Sequence, residues 1–187
     1  MPVHLYFVRH GQTVFNQFHF FCGRSDPPLT KIGKIEAERC AITIAHLQPD
    51  VIFCSPLLRA RQTAEIASSY LRNLPDVHYD DRLMERDFGK LDGTFAPFKL
   101  RKIWDYNQSY TKSNWGEETL LSLELRVESF VNMIQHAYQD KTVLVFSHGG
   151  VGTTIHTLLD ENHEHSGNFF KNFHMKNGAI AYFLLEP

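Results

Sequence analysis

The chain has 187 residues, 43% hydrophobic and 21% charged, with a formal net charge of -2 at pH 7. That length supports one domain with a substantial buried core, and the composition is that of an ordinary globular protein. A charge so near zero argues against broad electrostatic binding to nucleic acid but leaves room for a small positive pocket.

Residues 3–8 form an apolar run rich in strand formers, read as a buried strand ending at Arg9-His10-Gly11. The run is too short for a signal-peptide core or a membrane span, so no membrane partner is expected. A loop follows through Gly23 and Asp26-Pro27-Pro28, and Thr30 is an N-cap candidate for a helix from 31 to about 47. Pro49-Asp50 breaks the chain, and 51–54 is a second apolar run. Ser55-Pro56 reads as an N-cap with proline at the first helical position. Leu57, Ala60, Ala64, Ala67 and Leu71 give that helix one apolar face. A short strand is expected at 77–79, and residues from about 92 to 116 form an irregular, aromatic-rich insertion. Glu117 and Glu118 suit the first turn of a long helix with the stripe Leu120, Leu123, Val127, Phe130, Ile134 and Tyr138. Residues 142–146 are the third clear strand, followed by Ser147-His148-Gly149-Gly150 and a helix to about 159. Asn177-Gly178 marks a turn before a last strand at 179–185.

Strands alternating with helices imply an α/β domain with a mostly parallel sheet, in which ligands bind at the carboxyl ends of the strands. The residues at those ends are Arg9-His10-Gly11, the stretch 55–59 with Arg59, and Ser147-His148-Gly149. Two histidines and two arginines therefore converge, with Arg24 as a candidate third cation. Arginine's planar fork suits phosphate oxygens, and fixed cations stabilise the charge that spreads over a phosphoryl group in transfer. A neutral imidazole can attack phosphorus, and a carboxylic acid can protonate the leaving oxygen. His4, His46, His78, His136, His156 and His174 read as ordinary histidines satisfied by their neighbours. Arg61, Arg72 and Arg126 read as surface charges, and Cys54 as a small core residue. The cysteines Cys22, Cys40 and Cys54 are odd in number with no CxxC pair. They suggest neither a disulfide scaffold nor a thiolate zinc site, which makes a reducing, cytoplasmic setting the expectation.

The ordered set Arg9-His10-Gly11-Gln12-Thr13, the stretch 55–64 from Ser55-Pro56-Leu57-Leu58-Arg59, and Ser147-His148-Gly149-Gly150 resembles the histidine phosphatase superfamily, also called phosphoglycerate-mutase-like proteins. Asn16, the stretch 23–30, and Glu85 before Phe88-Gly89 extend the resemblance from Arg9 to about Asn177. It implies one domain over 1–187 built as a three-layer sandwich, with a mostly parallel central sheet and helices on both faces. It also implies a phosphomonoesterase of the histidine acid phosphatase type, acting on a small phosphorylated substrate. His10 would be phosphorylated and then hydrolysed. Arg9, Arg59 and His148 would hold the phosphate, and Glu85 would serve as acid and then base. Asn16, Arg24 and Gly149 would contact the substrate. No metal or cofactor is implied, because arginines and histidines supply the positive charge. His163-Glu164-His165 lacks a third ligand and reads as a solvated loop.

Mutases of the same superfamily are the alternative activity. They carry a long insertion after the general-acid motif, usually have Asn where this chain has Gly150, and tend to have Trp at the place of Arg24. These departures favour a phosphatase. A non-catalytic phospho-ligand binder would be supported by loss of His10 or Glu85, and both are present. Leu91-Asp92 replaces the common Trp-Glu, and Glu36 replaces Gln; neither is expected to touch the chemistry. Phe15, Phe18, Phe20 and Phe21, with Phe95, Phe98, Trp104, Tyr106, Tyr110 and Trp115, would either shape a pocket for an apolar leaving group or pack the insertion onto the domain.

Overall fold

The structure is a computed structural model and describes residues 1–95, 110–160 and 174–186. In chain order the elements are β1 (Val3–Arg9), α1 (Val14–Gln17), α2 (Lys31–Ile44), β2 (Val51–Cys54), α3 (Leu58–Ser68) and β3 (Val77–Tyr79). Two 3-10 turns follow, Asp81–Leu83 and Gly89–Leu91, then α4 (Leu120–Ala137), β4 (Thr142–Ser147), α5 (Gly149–Leu158) and β5 (Ile180–Leu185). The strands form one five-stranded sheet in the order β3-β2-β4-β1-β5. The ladders β2–β3, β2–β4 and β1–β4 are parallel, and β5 closes the edge antiparallel to β1.

Burial on both faces explains why β2 and β4 are nearly continuous apolar runs. Val51, Phe53, Val143, Val145, Leu5 and Phe7 pack against α4 and α5 through Leu120, Leu123, Val127, Phe130, Ile134, Val151 and Ile155. Ile52, Cys54, Leu144, Phe146 and Val8 pack on the other face against Cys40, Ala41 and Ile44 of α2 and Ala60, Ala64 and Ala67 of α3. The result is the expected three-layer α/β sandwich. Each fully buried Leu, Ile or Phe contributes roughly 1.5–3 kcal/mol, so both helical layers are held mainly by these stripes. Burial pushes the Cys54 thiol up to about 12, in keeping with a core residue.

The ladder register sets the site. Arg9 lies opposite Ser147, and Cys54 lies opposite Phe146. The chain stays level one residue further, since His10 N donates to Ser147 O at 2.9 Å and Ser55 N to Phe146 O at 2.9 Å. His10, Ser55 and His148 therefore leave three adjacent strands side by side.

Two sequence expectations are corrected. Ser55 is not an N-cap: α3 starts at Leu58 with Leu57 in the cap position and no side-chain cap from it. The Leu58 amide is instead taken by Asp26 Oδ1 at 2.6 Å, a carboxylate arriving from the 22–28 loop. Glu117 and Glu118 precede α4, whose cap is Thr119. Glu117 accepts the amides of Asn114 (3.1 Å) and Trp115 (2.6 Å), tying down the end of the insertion. Thr30 does cap α2, accepting from Gly33 N at 3.0 Å, although α2 ends at Ile44 rather than near 47. Phe98, Trp104, Tyr106, His163 and His165 lie outside the described residues.

The loop after β1 is pressed onto the start of α2. A Cβ on Gly33 would lie 2.1 Å from Gln12 O, and one on Gly11 would lie 2.2 Å from Gly33 O. These are backbone contacts that no rotamer change relieves. Gly33→Ala is therefore expected to destabilise the fold by about 1–3 kcal/mol, read as a lower urea midpoint at unchanged slope. A midpoint equal to wild type would show that the loop does not need this approach.

Candidate active site

His10, at the end of β1, is 2% exposed. Its Nδ1 lies 2.7 Å from Gly11 O, and a carbonyl can only accept, so Nδ1 carries the proton. Nε2 therefore holds the lone pair, and Arg59 Nε donates to it at 3.3 Å. Burial holds the His10 pKa well below the usual histidine value, with Arg59 and then Arg9 pushing the same way. The ring is a neutral, oriented imidazole with its free nitrogen turned toward a cation.

Arg59 is fully buried in the first turn of α3. Nη1 donates to Ser25 O at 2.8 Å, and Nη2 donates to Gly23 O at 2.8 Å and Cys22 O at 3.4 Å. Asp26 Oδ1 sits 3.8 Å from Nη1. The outer nitrogens are thus occupied by the 22–26 loop, and Nε is the nitrogen that faces His10. The loop is shaped for this by Asp92, whose carboxylate accepts Gly23 N at 2.8 Å and Ser25 N at 2.6 Å. Asp92, not expected to touch the chemistry, supports two of the three residues whose carbonyls hold Arg59. Glu36 likewise accepts Gln12 N at 2.6 Å and anchors the loop after His10.

His148, after β4, is fully buried, with its ring centroid 5.1 Å from that of His10. Its Nε2 is 2.7 Å from Ser55 Oγ, while Nδ1 is buried and meets no hydrogen-bond partner among the described residues. Burial first, then Arg59, His10 and Arg9, hold its pKa well below the ordinary value. Arg9 lies along Gly149: a Cβ there would come within 3.3 Å of the guanidinium, so glycine lets the cation lie flat on the start of α5. Arg9 Nη1 donates to Met175 O.

Glu85 is 9% exposed. Its Oε1 accepts Arg86 N at 2.8 Å, and its Oε2 accepts Gly150 N at 3.1 Å, placing it on the N-terminus of α5. A Cβ on Gly150 would fall 2.2 Å from Oε1, so this approach requires glycine. The Ser147 hydroxyl donates to Leu83 O at 2.7 Å, fastening the 81–86 segment to the end of β4.

Asn16 Oδ1 accepts the backbone amide of Thr13 (3.0 Å), the Thr13 hydroxyl (3.0 Å) and Asn177 Nδ2 (3.2 Å). With the oxygen so engaged, the Asn16 NH₂ is left as the donor end. Arg24 is 30% exposed at its side chain, and its nearest carboxylate is Glu118 Oε2 at 3.9 Å. Arg126 Nη2 already holds that oxygen at 2.9 Å, and Arg24 Nε is buried without a partner among the described residues. Arg126, expected to be a surface charge, is instead paired with Glu118 at 2.6 Å with its side chain 16% exposed. Asn177 was missed by sequence reasoning except as a turn; its Nδ2 donates to His10 O at 3.2 Å, joined there by Gly178 N at 3.1 Å.

The structure brings His10, Arg59 and His148 into one buried cluster, with Arg9 against Gly149 and Glu85 on Gly150. Arg24 lies on the electrostatic neighbourhood of Glu85 and Glu118. Phe15, Phe20 and Phe95 meet edge to face at centroid distances of 5.7 and 6.1 Å, so these rings after β1 and at the start of the insertion pack on one another. Phe95 is still 61% exposed. Among the described residues no three His, Cys, Asp or Glu side chains are grouped to hold a metal ion. Nor is any described helix long and apolar enough to cross a membrane.

This arrangement defines a class: α/β proteins that collect two histidines, arginines and a carboxylate at the carboxyl ends of a parallel sheet. The chain belongs to the histidine phosphatase superfamily (branch 1), whose family model matches residues 5–187. It is 36% identical over 154 residues to the uncharacterized phosphatase PhoE of Bacillus subtilis, covering 82% of this chain and 74% of that protein. It is 32% identical to phosphoserine phosphatase 1 of Hydrogenobacter thermophilus, covering 78% of this chain and 71% of the relative. It is also 33% identical to a 2,3-bisphosphoglycerate-dependent phosphoglycerate mutase of Chelativorans, covering 98% of this chain and 92% of the mutase. The alpha-ribazole phosphatase of Shigella flexneri shares the fold, with a TM-score of 0.82 at 22% identity over 97% of this chain and 93% of that one.

Because His10 and His148 both have depressed pKa values, the folded state resists binding protons that the unfolded chain takes up below about pH 6.5. Their neutral forms leave stability unaffected at high pH. Stability is then lost as pH falls through the unfolded value toward the folded ones, by up to ~1.4 kcal/mol per pH unit for each histidine. Urea unfolding of wild type and His10→Asn between neutral and mildly acidic pH measures this. The variant is expected to show the shallower loss; parallel curves would mean that folding does not shift the proton affinity of His10.

Proposed function

We propose that the protein is a phosphomonoesterase in which His10 Nε2 takes the phosphoryl group from a small phosphate ester and passes it to water. The observation that carries this reading is the tautomer of His10: Gly11 O holds the proton on Nδ1 and leaves Nε2 bare beside Arg59. Nε2 forms the N–P bond while the ester oxygen departs with its electron pair, and Glu85 delivers a proton to that oxygen. In the second half Glu85 takes a proton from water as the water oxygen attacks phosphorus and the N–P bond breaks. Arg9, Arg59 Nε, His148 and the Asn16 amide surround the transferred oxygens, and the open backbone at Gly149 lets Arg9 approach them. Fixed donors in a dry site supply the stabilisation without reorganisation. The histidine acid phosphatase type of phosphomonoesterase fits this residue set.

The mutase relative matters for the choice between activities. Because this chain spans 92% of that mutase, chain length does not separate the two, and the case for hydrolysis rests on Gly150 and Arg24. Arg24 also supports a substrate class. It is a partly buried cation whose nearest carboxylate is shared with Arg126, so it has capacity for a second anion. Two relatives are named for phosphoserine and phosphoglycerate chemistry, and both compounds carry a carboxylate near the ester.

Phosphate release from an aromatic phosphate ester and from carboxylated phosphate esters, with chelator present, tests the activity. Wild type is expected to release phosphate and, on rapid denaturation in base, to carry a phosphohistidine signal in ³¹P spectra. His10→Ala is expected to show neither. Transfer of phosphate to a second sugar acid without release, in the presence of a bisphosphorylated primer, would identify a mutase. Arg24→Met is expected to lower kcat/KM on the carboxylated ester by about 10–100-fold, the worth of one charge-assisted hydrogen bond, with the aromatic ester, whose leaving group has no carboxylate, largely spared. Equal losses on both would place Arg24 on the transferred phosphoryl group.

A further inference from the structure

Ser55 was read from sequence as a helix cap, a role it does not have. It is fully buried where β2 ends. Its hydroxyl oxygen accepts the Leu57 amide at a long 3.4 Å and lies 2.7 Å from His148 Nε2. The Leu57 amide can only donate, so among the described residues the hydroxyl proton has a single acceptor within reach, His148 Nε2. The His148 ring is neutral, held so by burial and by the neighbouring Arg59, His10 and Arg9. It therefore carries one proton, and accepting at Nε2 puts that proton on Nδ1. Nδ1 is buried with no partner among the described residues, on a ring 5.1 Å from that of His10.

The opposite tautomer leaves two buried groups unmatched, the serine proton and the Nδ1 lone pair. Each costs desolvation. It would also turn a lone pair toward incoming phosphoryl oxygens, which repel it. We propose that Ser55 is a positioning residue that fixes His148 as the Nδ1–H tautomer, so that His148 presents the phosphoryl group with an N–H donor rather than a lone pair. This rests on the reading that His10 receives the phosphoryl group. It goes beyond that reading by assigning a function to a hydroxyl that touches no substrate. The logic is that of outer hydrogen bonds that set the tautomer of a histidine whose other nitrogen works.

The tautomer can be read without turnover. In the full chain with ¹⁵N-labelled histidine, assigned by comparison with His148→Gln, long-range ¹H–¹⁵N spectra near neutral pH are expected to show His148 Nδ1 protonated and Nε2 bare. Added inorganic phosphate is expected to shift the Nδ1–H signal. In Ser55→Ala the proton redistributes toward Nε2, and Ser55→Thr restores the wild-type pattern. On an aromatic phosphate ester, Ser55→Ala is expected to lose about 10–100-fold in kcat/KM, less than the loss of about 10²–10³ for removing such a donor outright, and Ser55→Thr recovers most of it. A protonated Nε2 in the wild type overturns the proposal. So does an unshifted Nδ1–H signal with phosphate bound, or a redistributed proton in Ser55→Ala with full activity. If the wild type releases no phosphate while the tautomer and its phosphate shift are as stated, the phosphatase reading fails and the role of Ser55 stands.

Discussion

A buried guanidinium beside a buried imidazole is the constraint on which this structure depends. Arg59 has no solvent exposure, and a charge so placed is tolerated only when its hydrogen-bonding needs are met locally. The 22–26 loop meets them with three carbonyls and a nearby carboxylate. That solution fixes the loop, and the loop in turn leaves Nε turned toward His10. Burial first, and this charge after it, hold the His10 pKa low, so the guanidinium that donates to Nε2 also helps keep a proton off it.

The sheet register makes such a cluster affordable to assemble. Three parallel strands end at one level, and the residue after each is a buried polar side chain: His10, Ser55 or His148. Small residues then close the remaining distances. Gly11 and Gly33 let the loop after β1 lie on α2, Gly149 admits Arg9, and Gly150 admits Glu85. The interior layers are ordinary close packing, and the unusual tolerances are confined to the carboxyl ends of the strands.

Much of this was legible in the sequence. The apolar runs of β1, β2 and β4 announced a sheet buried on both faces, and the stripe of α4 matched a helix packed on one side. His10, Arg59 and His148 could be located because each follows such a run. What could not be read was which polar partner each side chain finds across the fold. Ser55 looked like a cap because Ser-Pro is a local signal, whereas its partner His148 lies 93 residues away in sequence. Asp92, Arg126 and Asn177 were misjudged or missed for the same reason: their partners come from distant segments. Glu117 and Glu118 had the composition of a first turn, but the Asn114 and Trp115 amides held Glu117 in the preceding loop.

The Asp92 carboxylate reaches both Gly23 N and Ser25 N, and the backbone continues the link through Gly93 N to Phe21 O and Phe21 N to Thr94 O. The start of the aromatic insertion is thereby stitched to the loop that cages Arg59. The start of the insertion and the loop that holds Arg59 are one mechanical unit at this seam. A change at Asp92 would loosen both sides of the seam at once, the loop that holds Arg59 and the start of the insertion beside it.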